Sequence, residues 1–559
     1  MSRRFVTALV LLAVVTLAAP ALPARAGEAP RREVVIGMLQ EPDTYNPTNY
    51  TTLAAHTTFP IFLSPTVTYN EKWQLVPVLV EDIPTVQNGG VKVLPDGRMH
   101  VTWKLRQATW HDGRPITSED AVFTNRVVKD KNIPIYVRQA GDFIENIVAH
   151  DARTLTVTFN KRYAFANADI TDTFILPRHI LQSYHRQGAK ALREAAYGKD
   201  PAVTVGSGPF IFKSWRQGSE IVFEANPNYF RGRPALDRVV IKLFSDVSAL
   251  VANIVAGAVD IGAPPPVGIA FAQGLQVEEL IRQGRARGLK VDYRPTLVQD
   301  GLYFNVTSPF LQDRRVRQAI AYAVDREGIS KALFQGKQPA AHSFLPENHP
   351  LFYKDIRKYS LNLERARGFM REAGWTPGPD GVLRSARGER FAISVMTTAG
   401  NSTRERVQQI LQVQLRELGI ELSINNVPSR TFLSRFWYAR RYPHLAIISH
   451  GPQNNLNVDR TYGSWNIQAV GEYSTNTMGW KNDEADRLMK VYEEELDDAK
   501  RGQILKDLQK VWAEEVPALL LYQWTSASTV KEGLLNYRPS GTSSSPGPYT
   551  WNVQEWRWR

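Results

Sequence analysis

The sequence contains no cysteine among its 559 residues. This absence excludes disulfide bonds and every metal site built on thiolate ligands. It also excludes a lipid anchor attached through a cysteine at an export cleavage site. The ten histidines are dispersed, and no second histidine lies near His450 at ligand spacing. The sequence therefore predicts neither a metal site nor a bound cofactor.

Long hydrophobic runs are absent beyond the first residues. The longest later runs, such as Ala518–Tyr522, have the length of a buried strand. They fall far short of the roughly 20 apolar residues that a membrane-spanning helix needs.

Residues 1–26 have the order of a cleavable signal peptide. Arg3 and Arg4 precede an apolar segment over 6–19, and Ala24-Arg25-Ala26 fits the small-x-small rule for cleavage. We expect cleavage at the end of this segment and export to the periplasm, with the mature protein free because no cysteine can carry a lipid. The alternative is an uncleaved N-terminal anchor.

Acidic residues are fewer than basic ones, which gives a formal net charge of +13. The 68 basic residues are scattered among 55 acidic ones, without a Lys/Arg block, so the sequence argues against nucleic-acid binding. The content of 43% hydrophobic and 22% charged residues is that of a globular protein. The chain is too long for one hydrophobic core, which predicts two or three domains.

Period-two and helical patterns alternate along the chain and predict an α/β fold. Apolar and polar residues alternate in four predicted strands, at 98–106, 154–159, 221–225 and 239–243. Apolar residues at helical spacing predict a helix from an Asp313 cap to Phe334, a helix over 405–418 and a helical region over 482–514. Gly419 ends the second of these, and a strand at 420–425 follows directly.

Short motifs occur in four separate segments. They are Asp96-Gly97-Arg98 with Trp110-His111-Asp112-Gly113; Gly206-Ser207-Gly208-Pro209-Phe210 with Asn226-Pro227-Asn228-Tyr229; Asp313-Arg314-Arg315-Val316-Arg317-Gln318-Ala319; and Ala373-Gly374-Trp375. Singly, each has a structural interpretation. Asp112-Gly113 predicts a turn, and Gly206–Pro209 predicts a tight backbone approach because it lacks the Lys and Ser/Thr of a phosphate-binding loop. Together, and in this order, they resemble the large extracytoplasmic solute-binding proteins of family 5, the oligopeptide- and dipeptide-binding type.

The resemblance implies a two-lobed periplasmic-binding-protein fold of the type II-like, cluster C form, with mixed sheets and an extra domain in the first lobe. The predicted division is 31–75, 205–298 and 515–559 for the ligand-side domain of the first lobe, 76–204 for the extra domain and 299–514 for the second lobe. The chain would cross between the lobes twice, and two crossings make a hinge.

The resemblance also implies a carrier that catalyses no reaction. Such a protein captures a peptide or peptide-like ligand between its lobes and delivers it to the permease and ATPase subunits of an ABC importer. We expect a monomer without cofactor, whose ligand stabilises the closed state by binding it more tightly than the open one.

One stretch of the second lobe departs from the peptide carriers. Where they have an aromatic residue followed by an acidic, Asp-Pro-containing stretch, residues 449–459 read SHGPQNNLNVD, so amides replace most carboxylates. A carboxylate there ordinarily pairs with the ligand's α-amino group. The amides, with 13 tryptophans available for stacking, leave open an oligosaccharide or other non-peptide ligand. The candidate ligand-binding residues are Asn46, Tyr50, Trp437, His450, Gln453, Asn454, Asn455, Asp459 and Trp465.

A secreted glycoside hydrolase is the alternative from a different class. It would need two carboxylates around a glycosidic bond, and the sequence offers no way to choose such a pair. The hydrolase motifs G-x-S-x-G and H-E-x-x-H are absent.

Overall fold

Strands and helices alternate along the described part of the chain. The computed structural model describes residues 32–133, 143–168, 170, 174–452, 454–542 and 547–559. The predicted signal peptide lies outside these residues.

The strands within the described ranges are, in chain order, β1 (Glu33–Met38), β2 (Val67–Tyr69), β3 (Leu75–Pro77), β4 (Val91–Val93), β5 (Met99–Lys104), β6 (Ile144–Ala149), β7 (Thr154–Phe159), β8 (Phe210–Arg216), β9 (Glu220–Ala225), β10 (Arg238–Leu243), β11 (Ile261–Gly262), β12 (Leu289–Phe304), β13 (Thr376–Pro377), β14 (Leu383–Arg384), β15 (Ala392–Met396), β16 (Glu421–Ile424), β17 (Leu445–His450), β18 (Ala518–Lys531), β19 (Leu534–Leu535) and β20 (Arg557–Trp558). The α-helices are α1 (Leu53–Thr58), α2 (Ser118–Lys129), α3 (Arg178–Arg186), α4 (Ala189–Glu194), α5 (Val247–Val255), α6 (Phe271–Arg282), α7 (Arg314–Ala323), α8 (Arg326–Phe334), α9 (Leu363–Glu372), α10 (Ser402–Leu418), α11 (Ser429–Thr431), α12 (Asp459–Tyr462), α13 (Asp483–Glu494) and α14 (Asp498–Glu515). Short 3-10 segments cover Phe59–Ile61, Ser464–Asn466 and Val553–Glu555, and a π-helical segment covers Phe432–Trp437.

A large mixed sheet runs through both halves of the molecule in the order β16-β15-β17-β12-β18-β11-β1-β10-β9-β8. In the first half β1 pairs parallel with β10 and β11, and in the second half β15 pairs parallel with β16 and β17. The long antiparallel strands β12 and β18 belong to both halves. The predicted α/β class with mixed sheets is therefore confirmed.

The pairing of β12 with β18 is interrupted where the two halves join. Its register shifts between Pro295 and Gln299, opposite Thr525 and Gln523. The side-chain amide of Gln523 donates hydrogen bonds to the carbonyls of Thr296 and Val298, at 2.5 and 2.7 Å, so carbonyls left outside the ladder keep partners. An interrupted ladder bends more readily than a continuous one. The predicted domain boundaries stay a prediction.

A separate four-stranded antiparallel sheet, in the order β4-β5-β7-β6, lies within the segment predicted as an extra domain. Met99, Val101 and Trp103 on β5 are fully buried, and the more exposed residues lie between them. This is the predicted alternation. The predicted strand 154–159 is β7.

Gly206–Pro209 makes the tight backbone approach predicted for it. The backbone N–H groups of Ser207 and Gly208 both donate to the carbonyl of Phe62, at 3.0 and 2.8 Å. A Cβ on Gly208 would lie 2.4 Å from the carbonyl carbon of Phe62, so the position requires glycine. His111 braces the same turn, because Gly206 N–H donates to its Nδ1 and its Nε2 donates to the carbonyl of Gly208.

The single helix predicted from Asp313 to Phe334 is wrong, since the structure has two helices there, α7 and α8. Val324 adopts an extended conformation, which ends α7. The Asp325 carboxylate then accepts a hydrogen bond from the N–H of Gly328 at 2.8 Å and begins α8. The predicted cap at Asp313 is confirmed, because its carboxylate accepts from the N–H of Arg315.

No helix in the described ranges combines the length and the apolar character that crossing a lipid bilayer requires.

Candidate functional site

A cavity of about 310 Å³ opens at the carboxyl end of strand β17. Its lining combines aromatic rings with hydroxyl, amide, imidazole and guanidinium groups. The lining residues are Tyr438, His450, Gly451, Asn457, Arg460, Thr461, Tyr473 and Thr475. We call this space the β17 cavity.

The β17 cavity lies where the two halves of the large sheet join. His450, the last residue of β17, is opposite Gln299 of β12 in the antiparallel register. The next residue, Gly451, approaches the chain between the halves so closely that a Cβ would lie 2.2 Å from the carbonyl oxygen of Leu297. A side chain at this position would push the joining segment away from the cavity.

Two stacked tyrosines form one wall of the cavity. The π-helical segment Phe432–Trp437 ends directly before Tyr438. The ring of Tyr438 stacks on that of Tyr473, with centroids 4.8 Å apart and planes 25° from parallel. Tyr473 is 62% exposed, so much of its ring remains accessible to a ligand. π-Helical turns are frequent at functional sites, where they place a side chain that a regular helix would turn away.

His450 joins the cavity to a buried aromatic cluster. Its ring centroid lies 5.7 Å from that of Trp437 and 5.6 Å from that of Tyr303. Burial, reinforced by the charges of Arg460 and Arg404, lowers the pKa of His450 to about 4, so the imidazole is neutral at pH 7. Its buried Nε2 has no hydrogen-bond partner in the described part of the chain. Trp437 is fully buried behind His450 and does not border the cavity.

The amide-rich stretch folds into turns that use its own side chains. The side-chain oxygen of Asn455 accepts a hydrogen bond from the N–H of Asn457, and that of Asn457 accepts one from the N–H of Asp459, both at 3.0 Å. Asn454 and Asn455 are half-buried and do not line the cavity, and Gln453 lies outside the described residues. The ligand roles of these three residues stay predictions, whereas Asn457 borders the cavity.

Asp459 and Trp465 do not line the cavity. Burial, with the negative charge of Glu493, raises the pKa of the Asp459 carboxyl. Trp465 is 41% exposed, and the ammonium group of Lys490 lies 5.3 Å from its ring centroid. Their predicted contact with a ligand is untested.

Asn46 and Tyr50 lie in the first half, where they contact other protein groups. The side-chain oxygen of Asn46 accepts hydrogen bonds from the N–H and the hydroxyl of Thr48, at 3.0 and 2.8 Å. The hydroxyl of Tyr50 lies 3.0 Å from Nδ1 of His56. Neither residue borders the β17 cavity, and among the predicted residues that the structure describes His450 alone does so.

Sequence reasoning missed three residues that dominate the cavity, Tyr438, Arg460 and Tyr473. Tyr438 directly follows Trp437, and Arg460 directly follows Asp459. Predicted residues are thus sequence neighbours of lining residues, and which of two neighbours lines the cavity depends on backbone geometry at the end of the helix. The ligand roles of the predicted residues stay predictions. No periodic pattern singles out a loop tyrosine such as Tyr473.

A second contact joins the region of the four-stranded sheet to helix α13. The rings of Phe165 and Tyr492 lie 5.5 Å apart, and both residues are buried. The ammonium of Lys161 lies 3.2 Å from the carboxylate of Glu493, whose backbone carbonyl accepts a hydrogen bond of 2.7 Å from the N–H of Ala164. We call this set the Phe165 contact. It joins the two halves at a place other than the shared strands.

In the described part of the chain, no group of three or more His, Cys, Asp or Glu side chains is arranged to hold a metal ion.

The sequence and the fold match one family of known proteins. The model of the bacterial extracellular solute-binding proteins, family 5 Middle, matches residues 74–471. The chain is 28% identical over 551 residues to the oligopeptide-binding protein AppA of Bacillus subtilis, covering 94% of this chain and 91% of that protein.

Solved structures give the same result. The structure of AppA from Bacillus subtilis in complex with a nonapeptide has a TM-score of 0.67 at 25% identity, covering 95% of this chain and 100% of that one. The oligopeptide-binding protein from Thermus thermophilus, complexed with a pentapeptide, has a TM-score of 0.67 at 30% identity, with 95% and 97% covered. The predicted two-lobed fold is confirmed by these neighbours.

Proposed function

The chain belongs to the bacterial extracellular solute-binding proteins of family 5, and we propose that it captures peptides in the periplasm and delivers them to an ABC importer. The relatives named above are oligopeptide-binding proteins, and two of their structures hold a nonapeptide and a pentapeptide. The mature protein acts as a monomer, and its partners are the permease and ATPase subunits of the importer.

The position of the β17 cavity is the observation that carries this proposal. The cavity borders the segment in which β12 and β18 pass from the first lobe to the second, so a ligand there lies beside the hinge. Among the described strands, only β12 and β18 connect the two halves of the large sheet. Closing the lobes therefore requires bending at one place, and a ligand that contacts both lobes favours the closed form.

The lining of the cavity supports a carrier and argues against a glycoside hydrolase. A hydrolase of the ordinary kind places two carboxylates around the scissile bond. No Asp or Glu borders the β17 cavity in the described part of the chain. We infer that the protein binds its ligand without changing it chemically.

An oligosaccharide is the second candidate ligand, because of the wall of Tyr438 and Tyr473. Sugar rings stack on exposed aromatic rings, and hydroxyl and amide groups such as those of Thr461 and Asn457 suit sugar hydroxyls. The peptide remains the first choice because the relatives are peptide-binding proteins.

Native mass spectrometry tests the proposed function. Protein freed of bound molecules by unfolding and refolding would be mixed with a random-sequence pentapeptide library or with hexose oligosaccharides of five units. We expect retention of peptides, and a smaller radius of gyration by X-ray scattering when they are present. The Tyr473→Ala variant should bind more weakly, and Tyr473→Phe, which keeps the ring, should bind nearly as well as the original chain.

Each alternative has its own signature in this experiment. Retention of oligosaccharides without peptides would replace the first candidate by the second. Shortened saccharides in the mixture would overturn the carrier function itself.

A further inference from the structure

The β17 cavity is rich in hydrogen-bond donors and has no acidic side chain in its described lining. Within the described residues, the guanidinium of Arg460 makes no hydrogen bond or ion pair, and the hydroxyls of Thr461 and Thr475 are likewise without partners. The buried Nε2 of His450 also has no partner there. Buried polar atoms are nearly always satisfied in native proteins, so the Nε2 of His450 lacks the partner that such an atom ordinarily has. Arg460 is exposed and Thr461 and Thr475 are half-buried, so their donors are open to a ligand that accepts several hydrogen bonds.

The charge on the described lining of the cavity is positive. Arg460 is the one charged residue of the described lining, and its charge, after burial, helps to lower the pKa of His450. Asp459, its neighbour in sequence, does not line the cavity and forms no salt bridge with Arg460 in the described chain. Burial raises the pKa of that carboxyl, and the positive charge of Arg460 acts in the opposite direction. A ligand ammonium group would therefore meet a like charge here, while a carboxylate would meet an opposite one.

We propose that the β17 cavity holds a carboxylate of the bound peptide, which accepts hydrogen bonds from Arg460 and from the neutral side chains around it. This inference rests on the proposed peptide-carrier function. The planar guanidinium binds a carboxylate through two parallel hydrogen bonds, a geometry that an ammonium ligand cannot use. The imidazole of His450, neutral at pH 7, carries one ring N–H and can donate it without a second positive charge.

The carboxylate has two sources in a peptide, the free chain end and an acidic side chain. Three random pentapeptide libraries separate them. The first omits Asp and Glu and keeps the free chain-end carboxylate, the second is the same library with an amidated end, and the third is amidated but contains Asp and Glu. An N-acetylated form of the first library tests whether the α-amino group matters.

We expect amidation of the first library to weaken average binding about tenfold, since it removes a charge-assisted pair with Arg460, an arginine that is exposed in the unliganded protein. N-Acetylation should change binding less than about threefold, because the cavity offers the α-amino group no carboxylate partner. If an acidic side chain supplies the carboxylate, the first two libraries bind equally weakly and the third binds best. Either pattern supports the cavity's preference for carboxylates.

A substitution locates the effect at Arg460. Arg460→Gln should weaken binding of carboxylate-bearing peptides about tenfold and remove the difference between free and amidated libraries. Arg387→Gln is the matched control, because Arg387 is exposed in a loop and borders no part of the cavity. It should behave as the original chain. Circular dichroism establishes that both variants fold.

The two ways of failing differ. If N-acetylation weakens binding and amidation does not, or if Arg460→Gln keeps the full preference for free carboxylates, the anion site is refuted and the peptide carrier stands. If no library binds and oligosaccharides do, the peptide function fails as well.

Discussion

Replacing Phe165 by alanine should open the protein and weaken ligand binding. The ring of Phe165 extends from the region of the four-stranded sheet to Tyr492 on α13. The guanidinium carbon of Arg501 on α14 lies 5.7 Å from the same ring. Alanine removes both contacts and leaves the shared strands of the hinge unchanged.

The size of the effect follows from these two contacts. An aromatic pair contributes about 0.5–1.5 kcal/mol beyond the burial of its area. An arginine beside an aromatic ring adds about 0.5–1 kcal/mol at a partly exposed site. Closure should therefore become less favourable by about 1–2.5 kcal/mol. If the free protein is mainly open, the dissociation constant of a ligand that binds the closed form rises by about 5- to 70-fold.

The assay combines calorimetric titration with X-ray scattering. A peptide identified in the native mass spectra would be titrated into Phe165→Ala and into the control Phe123→Ala. Phe123 is buried within the same region and contacts His185 there, so its loss should lower the melting temperature without changing closure. Unchanged peptide affinity and unchanged radius of gyration in a folded Phe165→Ala protein would refute the role of the Phe165 contact.

Three further substitutions or conditions test the scaffold. Gly208→Ala should cost about 1–3 kcal/mol in urea unfolding, because its Cβ would collide with the backbone of Phe62; an unchanged midpoint would contradict this close approach. Arg404→Met should destabilise the second lobe by about 3–5 kcal/mol, since it removes the positive charge and the two hydrogen bonds of 2.9 Å that Arg404 gives the buried Asp300 carboxylate and leaves it the hydrogen bond from the hydroxyl of Tyr522. Its cost should fall when Asp300→Leu is added, and simple additivity in the double variant would argue against the pair. Burial lowers the pKa of His111 to about 4, below the value near 6.5 of an unfolded chain. The stability that the neutral form of His111 contributes is therefore fully present above about pH 6.5 and declines as the pH falls toward 4. The melting temperature should drop over this range. A melting temperature that does not change with pH would be inconsistent with a neutral His111.

The parts of the fold that repeat a local pattern could be predicted from the sequence. The strand at 154–159 alternates apolar and polar side chains, and its predicted limits match β7. The end of α10 was equally predictable, because Gly419 adopts the left-handed conformation that closes a helix. The prediction of one helix over 313–334 was wrong because the helical spacing of apolar residues continues across Val324 and Asp325, where the structure ends α7 and begins α8.

The candidate site depended on geometry that no local pattern reports. The apolar and aromatic content around Trp437 led to the right segment, but the π-helical turn buries Trp437 and places Tyr438 at the cavity. The amides of the 449–459 stretch suggested a ligand contact, which stays a prediction, and the side chains of Asn455 and Asn457 hold the turn together through hydrogen bonds to the backbone. The sequence does not distinguish an amide side chain that completes a turn from an amide side chain that contacts a ligand.

The strength of the Phe165 contact decides how much of the free energy of closing a ligand in the β17 cavity must supply. If the open and closed forms were otherwise equal in free energy, a contact worth about 2.7 kcal/mol or more would keep about 99% of the empty protein closed, and ligand would then find the cavity covered. A contact worth nearly nothing would leave closure entirely to the ligand. The aromatic pair of the Phe165 contact contributes about 0.5–1.5 kcal/mol and its partly exposed ion pair about 0–1 kcal/mol, so these two together stay below the upper limit and above zero. The ligand must supply the rest of the free energy of closing, through groups that it contacts only when the lobes are closed. The donors that line the β17 cavity lie beside the hinge, so hydrogen bonds that a ligand forms with them shift the equilibrium toward the closed form.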